Sequence, residues 1–232
     1  DVALYANDEW DITEKLRVNA GFRATMFEHV GPFTRYVQDP SFPGKFTDTI
    51  DYSTGEKVKM YTHIEPRISL RYELKNNSSI KASFTQNYQY IHLASFGSVS
   101  LPTDIWVPST DLVKPQFGTQ YSVGYFKNLK ENVFETSVEL YYKTMKNQID
   151  YREGSTPDQD VKNNPDNNFV FGEGESYGAE FFVKKAKGKV TGWIGYTLSY
   201  TNKKFPDLNN GNSFPAKYDR RHDASFVMTY EY

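Results

Sequence analysis

The chain has 232 residues, a formal net charge of −2 and no cysteine. These values exclude disulfides, thiolate metal sites and cysteine nucleophiles, and the balanced charge gives no sign of a nucleic-acid partner. Aromatic residues make up 16% of a chain with a polar mean hydropathy, and no run of 18 apolar residues predicts a transmembrane helix.

Alternation of apolar and polar residues recurs along the chain, less regularly in its first ten residues, and predicts about nine β-strands. In the clearest case, Ile80, Ala82 and Phe84 share one parity, whereas Lys81, Ser83 and Thr85 share the other. Each such strand therefore has one apolar, aromatic face and one polar face. The predicted strands lie at 2–10, 17–26, 64–72, 80–90, 120–126, 134–143, 177–184, 191–200 and 223–230.

The connections between these strands alternate between short and long. The short ones are 11–15, 75–78, 130–132 and 185–189, and the long ones are about 28–61, 91–117, 152–174 and 202–219. A soluble sandwich gives no reason for such alternation, whereas transmembrane barrels have short periplasmic turns and long extracellular loops. Strands of about 10 residues also have the length that a tilted crossing needs. The sequence therefore predicts an all-β fold, an antiparallel transmembrane β-barrel.

The strand at 64–72 shows which face meets lipid. The opposite orientation would place Glu65, Arg67 and Arg71 in hydrocarbon, and a basic residue there costs about 2–4 kcal/mol near the midplane. The apolar parity therefore faces outward. Pro66 belongs to that parity, and because proline removes a ladder donor we expect a bulge there.

The nine strands are expected to be part of a larger object. Bacterial single-chain barrels have an even number of strands, and both ends of this sequence lie inside predicted strands. We therefore expect residues 1–232 to form part of one outer-membrane β-barrel domain, without its terminal strands.

Several stretches resemble a known family. They are YANDEWDITEKLRVNAGFR at 5–23, EPRISLRYEL at 65–74, ESYGAEFFVKK at 175–185, GWIGYTLSYTNKKF at 192–205 and FPAKYDRRHD at 214–223. Together and in this order, they resemble barrel strands of TonB-dependent outer-membrane receptors, particularly those of the Bacteroidetes type.

This resemblance implies a 22-stranded barrel with a plugged lumen in the outer membrane of a Gram-negative bacterium. The plug domain and the TonB box are not among these residues, so the TonB complex would be contacted through other parts of the protein. Outer-membrane lipid is the other implied partner, and a surface lipoprotein is compatible with the resemblance.

The segment from Tyr218 to Asp223 is the densest polar cluster in the sequence. We predict a structural role at the extracellular rim, with arginine forks paired to carboxylates such as Glu180 and Glu175. No recognisable nucleophile motif accompanies the cluster, so no catalytic residue is assigned. The predicted lumen and rim cluster comprises Glu65, Arg67, Glu180, Tyr218, Arg220, Arg221, His222 and Asp223.

Ligand contacts are expected in the long loops, because loops on a rigid scaffold carry recognition. Arg35, Tyr36 and Trp106 are the predicted substrate contacts, since aromatic stacking beside a cation suits siderophores, sugars and peptides. Packing of the loop aromatics against one another is the alternative. The histidine spacing matches no metal motif, and no metal or cofactor is predicted.

The predicted function is TonB-dependent import of a scarce siderophore, vitamin, oligosaccharide or peptide, without bond breaking. One alternative is an outer-membrane barrel enzyme, a protease or phospholipase that uses His222 or Asp223. The other is a soluble carbohydrate-binding β-sandwich, which would bury Phe84 and Leu140.

Overall fold

The computed structural model describes residues 1–39, 41–95, 104–154 and 165–232, which form one large antiparallel sheet and two small hairpins. The large sheet has the order β1-β2-β5-β6-β9-β10-β11-β12, and both β13 and β14 pair with β12. Its strands are β1 Val2–Asp11, β2 Leu16–Val30, β5 Lys57–Leu74, β6 Ser78–Gln89, β9 Gln116–Leu129, β10 Phe134–Tyr151, β11 Phe169–Lys185, β12 Val190–Lys204, β13 Phe214–Pro215 and β14 His222–Tyr230.

The two hairpins and two 3-10 helices lie in the long connections. The first hairpin joins β3 Phe33–Asp39 to β4 Phe42–Tyr52, and the second joins β7 Ile91–Ala94 to β8 Ile105–Pro108. The 3-10 helices span Pro165–Asn168 and Asn209–Gly211. The described part of the chain has no helix of the length and hydropathy needed to cross a membrane.

The nine predicted strands are confirmed as the nine long strands of the sheet. The turn after β5 contains Asn76 and Asn77 at φ of 62° and 53°, a left-handed conformation that asparagine tolerates better than most residues. All four short turns follow β1, β5, β9 and β11, so they lie at one end of the sheet. The hairpins and 3-10 helices lie at the other end.

The outward parity forms a continuous apolar surface. Leu140 is 52% exposed and Phe226 is 65% exposed, and within the described residues no second sheet packs on this face. Four tyrosines stand in one cross-strand row on it, about nine to eleven residues from the short turns, the length of a hydrocarbon crossing. This row is Tyr121, Tyr142, Tyr177 and Tyr200. Its position is that of an aromatic girdle.

The opposite parity forms a polar surface, as predicted. The Ser83 and Ser122 hydroxyls lie 2.7 Å apart across β6 and β9, and Lys184 pairs with Glu135 at 3.2 Å across β11 and β10. Such cross-strand polar pairs fix the register, because a slip by one residue would place them on the apolar face.

The bulge predicted at Pro66 is wrong. Pro66 stands opposite Phe22 in regular pairing, and the only register shift between β2 and β5 occurs at His29 and Val30. Pairing of β5 with β6 begins one residue later, at Arg67. Because no ladder continues on that side of Pro66, the missing N–H removes no β5–β6 hydrogen bond.

The described sheet is open, with β1 and β14 at its two edges. The confirmed fold class is therefore an antiparallel barrel wall, and the total of 22 strands stays a prediction. Strands β5 and β10, of 18 residues each, exceed the length needed for a tilted crossing. Their far ends therefore project beyond the apolar band and carry the folded extracellular connections.

Candidate functional site

A three-residue segment after β8, Ser109–Asp111, lies at the centre of the extracellular end. The Ser109 N–H donates to the Tyr90 carbonyl at 2.7 Å, and the Thr110 N–H donates to the Val113 carbonyl at 2.9 Å. The Thr110 hydroxyl accepts from the Val113 N–H at 3.1 Å. This is a local turn of the kind that Ser, Thr and Asp favour, and it fixes the backbone that presents all three side chains.

Asp111 binds two cations from different strands. One carboxylate oxygen lies 2.5 Å from Arg35 of β3 and the other lies 2.5 Å from Lys59 of β5. The hydrogen bond from Lys59 and the two positive charges hold the pKa of Asp111 below its ordinary value. The carboxylate is therefore charged at neutral pH and joins the β3–β4 hairpin to the wall.

Thr110 makes the connection to the 3-10 helix at Pro165–Asn168. Its hydroxyl donates to Asp166 at 2.5 Å, and its carbonyl accepts from the Tyr61 hydroxyl at 2.6 Å. Asp166 is 3% exposed. Burial raises its pKa to about 6, although the Thr110 hydrogen bond and the charge of Arg35 act in the opposite direction.

Ser109 connects to the β7–β8 hairpin through His92. The Ser109 hydroxyl and His92 Nε2 lie 2.9 Å apart, and burial lowers the pKa of His92 to about 4. His92 Nδ1 has no hydrogen-bond partner among the described residues. No group of three or more His, Asp or Glu side chains with the geometry of a metal site occurs in the described ranges.

An aromatic and polar layer on the inner side of β2 and β5 contacts this segment through Tyr90, the residue that follows β6. The Tyr90 ring stacks on Phe27 with centroids 5.1 Å apart, and its hydroxyl lies 2.6 Å from the Thr25 hydroxyl and 2.9 Å from His63 Nδ1. Glu65 is 4% exposed and accepts from Thr25 at 3.4 Å. The predicted cluster residue Glu65 therefore belongs to this layer.

The three predicted ligand contacts occupy different positions. Arg35 is bound to Asp111, and the Tyr36 carbonyl accepts from the Asn167 side chain at 3.1 Å. Trp106 lies opposite Leu93 on the β7–β8 hairpin and is 67% exposed. Within the described residues, no hydrogen bond or ring contact joins Trp106 to Arg35 or Tyr36. The role of these residues stays a prediction.

Some aromatic residues of the long connections pack against other aromatic rings. The Tyr36 ring packs on Phe46 with centroids 5.4 Å apart, and Phe117 packs on Tyr88 at 4.7 Å. These contacts match the alternative in which the loop aromatics pack against one another. Phe96, another aromatic residue of the second long connection, lies outside the described residues.

The predicted pairing of Arg221 is wrong. Its guanidinium binds Asp219 at 2.8 Å and lies 4.2 Å from the centre of the Tyr200 ring, rather than binding Glu180 or Glu175. Glu175 is on the outer parity, where it accepts from Tyr142 at 3.3 Å, and Glu180 stands opposite Glu139. The partner of Arg221 is therefore a carboxylate of its own connection, two residues earlier in the chain.

The remaining cluster residues are spread along the rim. The Arg220 carbonyl accepts from the Ser199 hydroxyl at 2.8 Å, and Tyr218 lies 5.8 Å from the Lys203 ammonium group. Arg67 is exposed on the inner face, opposite Gly21 and Thr85. The structure thus separates the predicted cluster into the Tyr218–Asp223 rim, the layer around Glu65 and the polar wall.

His222 and Asp223 lie on opposite faces of β14. His222 stands opposite Leu198 on the outer face and its Nδ1 lies 2.8 Å from the Tyr196 hydroxyl, whereas Asp223 stands opposite Thr197 on the polar face. Successive strand residues point to opposite faces. The two side chains therefore cannot act together on one substrate, and His222 is not a lumen residue.

Sequence reasoning missed the residues that hold the site together. They are Lys59, Ser109, Thr110, Asp111 and Asp166. The only local signal was the Pro-Ser-Thr-Asp run at 108–111, which indicates a turn. The partners of that turn lie up to 76 residues away along the chain, beyond any periodic pattern.

The comparisons with solved structures agree on the fold. The ferripyoverdine receptor of the outer membrane of Pseudomonas aeruginosa is 15% identical, with a TM-score of 0.63 over 99% of this chain and 26% of its own. The alcaligin outer-membrane receptor of Bordetella pertussis is 15% identical, with a TM-score of 0.60 over 98% of this chain and 33% of its own. The ferric-catecholate import receptor Fiu of E. coli K12 is 17% identical, with a TM-score of 0.60 over 98% of this chain and 31% of its own.

The chain thus spans about a quarter to a third of the length of these receptors. No curated protein matches its sequence. The profile of the family described as "TonB dependent receptor-like, beta-barrel" matches residues 1–232. This match confirms the predicted resemblance to TonB-dependent receptors, the strand-built membrane fold and the location in the outer membrane of Gram-negative bacteria. The chain belongs to the TonB-dependent receptor family, as part of its β-barrel.

Proposed function

We propose that the protein imports a scarce ligand across the outer membrane, with this segment forming lipid-facing wall and extracellular capture surface. The observation that carries the proposal is the arrangement of the sheet's two ends. Short turns close one end, whereas two hairpins and a 3-10 helix fold together over the other. An inert wall would not need a folded surface built from three separate connections.

Within this surface, Trp106 is the best-placed ligand contact. It is 67% exposed and lies beside the exposed side chain of Leu93, while His92 and Val107 on the other side of the hairpin are buried. An exposed indole on a rigid hairpin suits stacking against a planar or ring-containing ligand. Arg35 and Tyr36 are proposed as secondary contacts, because the charge of Arg35 is already partly balanced by Asp111.

The ligand class is proposed from the same surface. Siderophores, vitamins, oligosaccharides and peptides all present groups that an indole can stack on, and the structural relatives include receptors for ferripyoverdine and ferric catecholates. A ferric siderophore is therefore the first class to test. Energy transfer through TonB, contact with a plug and contact with a surface lipoprotein are proposed for the whole protein, as is the Bacteroidetes affiliation.

Uptake by cells tests the proposal directly. A Gram-negative host that lacks its own siderophore receptors would express the full-length protein and receive radioactive iron as ferripyoverdine, ferric alcaligin or a ferric catecholate. We expect accumulation of at least one chelate, its loss when a protonophore removes the energy supply, and a severalfold decrease in Trp106→Ala. Trp10→Phe, at the turn end of the sheet, is the matched control. Failure of the folded protein to accumulate any of these chelates would exclude the siderophores tested. Failure also with labelled vitamins, oligosaccharides and peptides would refute import.

The enzyme alternative gains no support from the arrangement of His222 and Asp223, since they lie on opposite faces of β14. The soluble sandwich predicts that Leu140 is buried, yet Leu140 is 52% exposed on the apolar face. Import is therefore the function that we propose.

A further inference from the structure

We propose that Ser109–Asp111 is a clasp that couples the β3–β4 hairpin, the β7–β8 hairpin and the 3-10 helix at Pro165–Asn168 to the barrel wall, so that these extracellular segments open and close as one unit. The inference concerns the mechanics of the extracellular end and holds whatever the protein imports.

The first support is that each clasp residue contacts a different element. Ser109 reaches His92 of the β7–β8 hairpin, Thr110 reaches Asp166 of the 3-10 helix, and Asp111 reaches Arg35 of the β3–β4 hairpin. Three consecutive residues thus hold three segments that are separated by 17, 56 and 76 positions along the chain.

The second support is the anchor on the wall. Lys59 binds Asp111, and the Tyr61 hydroxyl donates to the Thr110 carbonyl. Both side chains belong to β5 and are two residues apart, so they project from the same face of one long strand. Lys59 and Tyr61 stand opposite His29 and Phe27 of β2, and β5 is paired on both sides from Arg67 onward. The strand that carries the anchor is therefore held in the large sheet.

The third support is a contact between two of the three segments that does not involve the clasp. The Asn167 side chain donates to the Tyr36 carbonyl at 3.1 Å, which joins the 3-10 helix directly to the β3–β4 hairpin. Each of these two segments is therefore held by the clasp and by the other. A displacement of one must break contacts of both.

Burial makes the coupling cooperative. Ser109 is 0% exposed, Thr110 and Asp166 are each 3% exposed, and His92 is 0% exposed. The Ser109–His92 and Thr110–Asp166 hydrogen bonds form only while the segments stay together. Loss of one partner while the other stays buried leaves a donor or acceptor unsatisfied, which is costly. Opening at one contact thus favours opening at the others.

The test compares two clasp variants in the full-length protein by hydrogen exchange and mass spectrometry. Asp111→Asn removes the ion pairs to Arg35 and Lys59, and Thr110→Val removes the hydrogen bond to Asp166. If the three residues act as a clasp, each variant should speed amide exchange by about tenfold in two segments. One is the segment that the substituted residue contacts, and the other is a segment that it does not contact. For Asp111→Asn, the second segment is the 3-10 helix; for Thr110→Val, it is the β3–β4 hairpin.

Asp51→Asn is the matched control, because Asp51 accepts from Thr34 within the same hairpin and should change exchange only there. Asp111→Glu keeps the charge and should restore most of the protection. Acceleration confined in both variants to the directly contacted segment would overturn the proposal. Heat-modified mobility in gel electrophoresis shows whether each variant barrel is folded. If a clasp variant does not fold, Arg35→Gln takes its place. We expect this variant also to speed amide exchange in the 3-10 helix.

Discussion

Glu139 and Glu180 stand directly opposite each other on the polar face of the sheet, on β10 and β11. Neither carboxylate has an ion-pair partner within the described residues. Like charges in this position destabilise a strand pair, and opposite charges stabilise it. We expect Glu180→Lys to raise the free energy of unfolding by about 0.2–1 kcal/mol, measured by urea titration of the folded barrel in lipid vesicles. Glu180→Gln should give a smaller gain, and a loss of stability in both variants would contradict the assignment of this pair.

The face assignment predicts opposite outcomes for the same substitution at neighbouring positions. Val138 lies on the apolar face opposite Tyr125 and Phe181, whereas Ser137 lies on the polar face between Glu135 and Glu139. Val138→Arg should lower the free energy of unfolding in vesicles by about 2–4 kcal/mol, the cost of arginine in hydrocarbon. Ser137→Arg should be tolerated, because its guanidinium can pair with the adjacent carboxylates. Equal effects of the two substitutions would be incompatible with this orientation of the sheet.

The strands of the sheet could be predicted because they depend on patterns among neighbouring residues in the sequence. Alternation with a period of two gave both the strands and their faces, and the turn-forming residues gave the short connections. The orientation of His222 follows from the same parity, since it shares a face with Ala224 and Phe226. The prediction placed His222 in a lumen cluster because it treated the dense polar run as one group.

The extracellular site could not be predicted because its contacts are not periodic. Arg35 and Asp111 lie in different long connections, and nothing near either residue along the sequence indicates the other. The position of Asp111 depends on the packing of the β7–β8 hairpin, whose buried Ala94 and Val107 form one cluster with Val113, Ile149 and Phe169. Exposure of Trp106 likewise depends on which face of its hairpin that packing covers.

Asp219 joins the connection before β14 to the end of β12. This carboxylate accepts from the Thr201 N–H at 2.7 Å and from Arg221 at 2.8 Å, and its side chain is 7% exposed. Asp219→Ala should leave both donors without this acceptor and lower the free energy of unfolding by about 1–2 kcal/mol. Asp223→Ala is the control and should have little effect, because Asp223 is exposed on the polar face. If Asp223→Ala proved the more damaging change, the predicted rim pairing would have to be reconsidered.

Protonation of Asp166 should stabilise the packing of the 3-10 helix at Pro165–Asn168 against Ser109–Asp111. Burial raises its pKa from 3.8 to about 6, so the folded cluster binds a proton more tightly than the unfolded chain. The stability contributed by this proton is complete below about pH 4 and is lost as the pH rises through 6. His92, whose pKa burial lowers from 6.5 to about 4, acts in the opposite direction over the same interval. The comparison must therefore be made against Asp166→Asn, which keeps an acceptor for Thr110 but does not titrate.

Hydrogen exchange of the 3-10 helix at pH 5 and pH 7, corrected for the intrinsic rate, gives the measurement. Relative to Asp166→Asn, protection in the unsubstituted protein should fall by about tenfold between pH 5 and pH 7 for a shift of this size. Among the described residues, the positive charge of Arg35 and the hydrogen bond from Thr110 lower the pKa of Asp166, and burial raises it. Parallel pH profiles for the two proteins would mean that Asp166 does not titrate in this interval. A rise in protection toward pH 7 that is absent in Asp166→Asn would mean that its pKa is lowered, and that the ion attraction of Arg35 outweighs burial.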